Sequence, residues 1–261
     1  MDLRRAPGAR YRQLTMKGYG QFCPVAKAAE IFAERWTPLV LRELVCGSHR
    51  FSDLHRGVPL MSRTLLAQRL QQLENAGIVR SVARTKGRGR EYSLTPAGEE
   101  FRPVIERLGE WGQRWARTRI DASDLDPGLL MWDIHRRVNV ERLPARRVVA
   151  RFDFRGVPRV ARCPNTYWLI LERPNVDVCL KEPGFEVDLV VDADLAALTK
   201  VWMGDARLDD MRRADLIRLV GLREIVRAFP TWLALSGFAG IERPRAVEAR
   251  SLPRLRARLS R

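Results

Sequence analysis

Long apolar runs are missing from this 261-residue chain. The longest are about the size of Tyr167–Leu171, far short of the ~20 residues a membrane-spanning helix needs. The opening MDLRRAPGAR stretch carries charge with no apolar segment behind it, so it does not read as a secretory signal. Cysteine is scarce. Cys23, Cys46, Cys163 and Cys179 lie far apart with no C-x-x-C pair, which favours reduced thiols in a cytoplasm over a disulfide framework or a zinc finger. Histidine is scarcer still, with three copies, and Cys46, His49 and His55 alone make too few ligands for a metal set. No G-x-S-x-G, P-loop or dinucleotide fingerprint occurs, and no Ser/His/Asp constellation can be argued. Glu99, Glu100, Glu106 and Glu110 read as solvated charges on the outer face of an amphipathic helix. The sequence therefore assigns no catalytic residue, no metal and no cofactor.

Acidic residues are the minority, 31 against 47 Lys and Arg, for a net charge of +16. The surplus is uneven. Residues 1–120 hold 22 basic and 11 acidic residues, whereas residues 121–241 hold 18 of each. A basic half joined to a neutral half suggests that only the first meets a polyanion. A hydrophobic content of 46% is ample for packed cores, and the length suits two domains of ordinary size. The reading divides the chain into a basic segment at 1–20, a first domain at 21–118, a linker at 119–128, a second domain at 129–241 and a basic tail at 242–261.

In the first domain, Val25, Ala28, Ala29 and Phe32 share one helical face behind Cys23-Pro24. Leu39–Val45 reads as a buried helix ending at Gly47, and Phe51–Leu54 as a short unit closed by Gly57 and Pro59. Ser62 is placed to cap a helix from Arg63 to about Asn75, with Gly77 just past its end. Leu66, Leu70 and Leu73 fall on one side of that helix. Thr64, Gln68 and Gln71 fall on the other, and they offer groups of the kind that meet base edges. Arg69 lies beside the apolar stripe and reads as a structural ion-pair partner. Two short strands, Ile78–Ala83 and Glu91–Thr95, flank a loop carrying Arg84, Lys86, Arg88 and Arg90. The whole is a winged helix-turn-helix, with the polar-faced helix suited to a major groove and the wing to flanking phosphate. Thr95-Pro96 then opens a further helix, in which Pro103 marks a kink or a fresh start. Its stripe of Phe101, Ile105, Leu108, Trp111 and Trp115 is expected to form a dimer interface.

Residues Cys23–Trp115 resemble the HxlR-type family of bacterial winged-helix transcription regulators. The resemblance rests on Cys23-Pro24, Trp36, Arg50-Phe51, Leu54, Ser62, Leu65, Leu70, Leu73, Gly77, Tyr92, Leu94-Thr95, Gly98 and Trp111. Ala33-Glu34-Arg35 lacks a Gly-Lys pair common in the family, and Gly89 stands where a proline is usual. The resemblance implies a homodimer that binds double-stranded DNA through Ser62, Arg63, Thr64, Gln68 and Gln71 on the reader helix and Arg84, Lys86, Arg88 and Arg90 on the wing. Repression is the sign usual in the family. In some members a cysteine at the Cys23 position senses oxidants, and a thiol beside a helix N-terminus can be activated as thiolate.

The second domain reads as strands followed by helices, an α+β arrangement. Strands are expected at Arg147–Phe154, Thr166–Glu172, Val176–Leu180 and Glu186–Val191. Helical stretches are expected at Leu129–Arg137, Leu195–Trp202, Ala214–Leu219 and Arg223–Leu235. Val187–Val191, Leu195–Trp202, Gly204-Asp205 and Gly221–Phe238 resemble the sterol-carrier-protein type of domain, which implies a tunnel for an apolar small molecule between sheet and helices. The function expected is a cytoplasmic, non-enzymatic DNA-binding regulator modulated by such a molecule. The alternative is a lipid carrier whose basic domain docks on anionic membranes.

Overall fold

The computed structural model describes residues 18–85, 87–116, 120–158 and 163–243. Lys86, residues 1–17 and the tail from residue 244 lie outside them. Contacts divide the chain between Glu106 and Arg107 into two compact units, upstream of the expected boundary at 118.

The first unit opens with α1 (Pro24–Phe32), which starts at a proline because the first helical amide needs no intrahelical acceptor. The helices α2 (Thr37–Val45), α3 (Phe51–Gly57) and α4 (Arg63–Asn75) follow. Strands β1 (Val79–Ala83) and β2 (Arg90–Leu94) pair antiparallel in the register Ser81↔Tyr92. His49-Arg50 adds a one-residue rung beside β2, bonding Tyr92 N to His49 O at 2.7 Å. Leu41, Leu54, Leu66, Leu70, Leu73 and Ile78 fill one core. No residue of α1 is fully buried: Val25 at its start is 75% exposed, whereas Phe32 at its end packs against the first unit's core.

A buried carboxylate sits in that core. Glu43 on α2 has no exposed surface. It accepts from Arg42 Nε at 3.0 Å and Ser48 Oγ at 3.3 Å, the pairing that a buried charge requires. Gly57 ends α3 directly against it: a Cβ there would stand 1.9 Å from the Glu43 carboxyl carbon.

Thr95 caps a one-turn helix, α5 (Pro96–Glu99), by accepting from Gly98 N at 3.1 Å. The chain then restarts as α6 (Arg102–Trp111), with Pro103 in its first turn, a fresh start rather than a kink. A π-helical turn continues it through Gly112–Ala116.

The second unit is a five-stranded sheet of order β5-β4-β3-β6-β7. Its strands are β3 (Val148–Arg155), β4 (Thr166–Glu172), β5 (Asn175–Cys179), β6 (Leu189–Asp194) and β7 (Ile217–Gly221). Only β3 and β6 run parallel. Ala150, Phe152, Tyr167, Leu169, Val191 and Ile217 of the sheet form a single core with side chains from three helices. These are α7 (Pro127–Arg136), α8 (Leu195–Trp202) and α10 (Arg223–Trp232); a shorter helix, α9, spans Leu208–Arg213. The arrangement is α+β.

Three readings of this half change. Ala214–Leu219 is not helical, because Ile217 to Gly221 pair with β6 and bury Ile217. The helix lies just before it, at Leu208–Arg213. A short apolar run fits either period, and the partner strand decides. Strand β6 sits three residues later than expected, since Asp194 both ends it and caps α8, accepting from Ala197 N at 2.9 Å. The end of the expected linker is already α7, capped by Asp126.

Candidate nucleic-acid interface

Helix α4 is built as its sequence dictates. Ser62 accepts from Leu65 N at 3.2 Å, fixing the first turn, and Gly77 turns the chain out at φ 73°, a conformation that glycine adopts without strain. Leu66, Leu70 and Leu73 are buried. Arg63, Thr64, Ala67, Gln68, Gln71 and Asn75 are exposed on the opposite side. The guanidinium of Arg63 lies 5.9 Å from the Phe51 ring centroid, over its face. Gln71 donates from Nε2 to Asn75 Oδ1 at 3.2 Å. Arg69 is turned inward, donating to Gln72 Oε1 at 2.7 Å and pairing with Glu34 at 3.3 Å. It is an ion-pair partner, with its charge spent inside the unit.

The wing separates into two kinds of arginine. Arg88 is exposed and has no ion pair among the described residues. Arg84 lies 3.5 Å from Glu91, a surface pair of the kind worth roughly 0–1 kcal/mol. Arg90 is held more firmly. It donates from Nε to Ser81 Oγ at 2.6 Å and from Nη2 to Ser81 O at 3.3 Å, and it lies 3.9 Å from Glu74. Ser81 Oγ in turn donates to Glu74. Since Glu74 is on α4, Ser81 on β1 and Arg90 on β2, this triad ties both wing strands to the end of the reader helix. Sequence reading places Arg90 with the loop cations and passes over Glu74 and Ser81. Their meeting depends on the register Ser81↔Tyr92, which spacing alone does not give. Lys86 lies outside the described residues.

The expected dimer stripe splits. Phe101 stacks on Phe32 with centroids 5.5 Å apart, and Ile105 joins the first unit's core. Both are turned inward because they sit about one turn apart on the side facing α1 and the core. Val104, Leu108 and Trp111 form the outward stripe, with Leu108 46% and Trp111 55% exposed. Trp115 is half-buried in the π-helical turn. Cys23 is half-buried at the N-cap of α1.

In the second unit, most of the large apolar residues are core. Trp132, Trp202, Phe229 and Trp232 are buried, whereas Phe185 stands 42% exposed under the guanidinium of Arg147, 4.3 Å away. No helix among the described residues is long and apolar enough to cross a membrane.

Residues 31–120 match the HxlR-like helix-turn-helix family. The HTH-type transcriptional regulator YvaP of Bacillus subtilis (strain 168) is 36% identical over 108 residues, 41% of this chain and 96% of its own length. The HTH-type transcriptional regulator YtfH of Escherichia coli (strain K12) is 37% identical over 94 residues, 36% of this chain and 75% of its own. Among solved structures, the redox regulator HypR in its oxidized form is 26% identical, covering 38% of this chain and 100% of its own, with a TM-score of 0.35. That superposition adds nothing to the sequence match.

Proposed function

Because this chain belongs to the HxlR-like helix-turn-helix family, we propose that it is a transcription regulator that binds duplex DNA as a homodimer, represses, and answers to a small molecule in its second unit. The observation that carries the reading is the pairing of an exposed Thr64-Gln68-Gln71 face with a wing fastened to the same helix by Glu74, Ser81 and Arg90. A reader helix in the major groove needs its polar edge free and its flanking cation donor held in register.

In this reading Gln68 and Gln71 meet base edges, Thr64 assists near the helix start, and Arg63, Arg88 and Lys86 neutralise phosphate. Arg84 joins them by exchanging Glu91 for a phosphate, whereas Arg90 holds the wing in place. The outward stripe of Val104, Leu108 and Trp111 is half of the dimer contact. Two reader helices then lie about one helical turn apart, ~34 Å, and the operator is an inverted repeat. Cys23 stands as a candidate electrophile sensor beside the ligand route; a Cys23→Ser variant that responds fully to electrophiles in a reporter assay removes it. The sheet-and-helix build of the second unit supports a sterol-carrier-like domain. A ligand there changes DNA affinity only as far as it prefers one arrangement of the readers over another.

The test is selection of binding sites from random duplexes, followed by salt titration. Gln68→Ala should relax preference at one or two base pairs, at roughly 1–3 kcal/mol each. Arg88→Ala should weaken all sequences alike and lower the salt slope by about 1. A uniform loss with Gln68→Ala, or an unchanged slope with Arg88→Ala, refutes this docking. Tighter binding to anionic vesicles than to duplex DNA would favour the carrier reading instead.

A further inference from the structure

The second unit carries a cleft of about 950 Å³ between α8, α9, α10 and the segment that follows α10, within the size range of small-molecule sites. Its apolar wall comes from Val201, Val226, Pro230, Leu233, Leu235 and Ala239.

Three backbone features coincide there. Pro230 lies inside α10 and has no N–H, so the Val226 carbonyl one turn earlier loses its usual intrahelical donor. Leu235 is held at φ 56°, a region that a leucine seldom occupies, with its carbonyl accepting from Arg137 Nε at 2.7 Å. Gly204 turns at φ 78° so close to the wall that a Cβ would stand 2.5 Å from Ala239 O. Strain that the surrounding structure maintains is concentrated at functional sites.

Asp205, Asp209 and Asp210 line the cleft beside Arg207, Arg212 and Arg227, but arginines outside the lining take up two of the three acids. Asp209 pairs with Arg212, Asp210 with Arg213, and Asp205 with Arg243. Arg207 and Arg227 also line the cleft and have no ion pair among the described residues. Every acid of the lining is answered by an arginine, and two guanidinium groups are left over beside an apolar wall.

We propose that this cleft binds an apolar organic carboxylate, its hydrocarbon body against Val201, Val226, Leu233 and Leu235 and its anionic end at the Arg207 and Arg227 rim. Carboxylates suit planar guanidinium donors, and the wall supplies the burial that an inorganic anion could not use. The inference deepens the effector part of the proposed function and rests on it only for the consequence at DNA.

The test is calorimetric titration of the intact chain with 2-naphthoate, beside neutral 2-naphthol and cationic 2-naphthylmethylammonium. Saturable binding of one naphthoate per unit is expected, with the cation at least tenfold weaker. The variant Arg207→Gln/Arg227→Gln, altered only at exposed positions, should keep its circular dichroism and lose at least tenfold in naphthoate affinity while binding naphthol as before. No saturable naphthoate binding, equal affinity for the cation, or full affinity in the variant overturns the proposal. DNA binding measured on the same samples separates the two readings. Naphthoate binding without sequence-specific DNA binding sinks the regulator and leaves the cleft standing. DNA binding without naphthoate binding sinks the cleft alone.

Discussion

Gly57→Ala should destabilise the first unit, although the usual rule points the other way. In a helix, alanine is favoured over glycine by roughly 1 kcal/mol, and Gly57 is the last helical residue of α3. Its new methyl, however, would stand 1.9, 2.1 and 2.4 Å from the carboxyl carbon and two oxygens of Glu43. Glu43 is fully buried and held by Arg42 and Ser48, and Arg42 also donates from Nη2 to Gly57 O at 2.7 Å. Either α3 moves off α2, at the roughly 1–3 kcal/mol of an overpacked core, or the carboxylate leaves its partners, at roughly 3–5 kcal/mol. The cheaper route sets the outcome, about 2 kcal/mol, and the gain of about 1 kcal/mol in helix propensity offsets part of it, so a net loss of about 1 kcal/mol is expected. For a unit of this size that lowers the melting temperature by roughly 4–8 °C, read by scanning calorimetry on the transition assigned to the first unit. The decisive measurement is the double-mutant cycle with Glu43→Ala, which removes the obstructing group. In that background Gly57→Ala should cost little or stabilise. The same cost in both backgrounds, or a stabilising Gly57→Ala in the native one, would refute the steric account.

Glu74→Gln and Arg90→Ala should each weaken DNA binding, Arg90→Ala by about tenfold, the scale of one charged hydrogen bond. If Arg90 positions the wing, the salt slope should barely change in either variant; a slope reduced by about 1 in Arg90→Ala together with a silent Glu74→Gln would make it a phosphate contact. Trp111→Lys should raise the dimer dissociation constant by about 30-fold, as for a hot-spot residue, and sedimentation that still shows full dimer would move the interface elsewhere. Tyr167 is raised well above the ordinary tyrosine range, chiefly by burial and then by Cys163 and Asp126. Its proton is therefore kept in the folded state and lost from the unfolded one, so the stability it contributes is complete below pH ~10 and falls as the pH rises beyond that. Tyr167→Phe should flatten the alkaline decline of the second unit, and an unchanged decline would place its cause in another group.

Much of the first unit was written locally in the sequence. Ser62, Gly77, Thr95 and Pro96 are boundary signals whose chemistry acts within one turn, so α4 and the start of α5 fall where the residues place them. The polar edge of α4 was equally legible, because a 13-residue helix with three leucines on one side has only one other side to offer. The second unit was less so. Thr166–Glu172 and Leu195–Trp202 are long and regular enough to declare themselves, but Ile217–Gly221 has no period of its own and becomes a strand only because β6 offers it a partner. Tertiary structure alone decided which apolar and charged side chains remain available. Phe101 and Ile105 turn inward while Leu108 and Trp111 do not. Arg90 is drawn to Ser81 and Glu74 while Arg88 stays free of ion pairs among the described residues. Residue type sets what a group can bind; register and packing between distant segments set whether anything within the chain has already bound it.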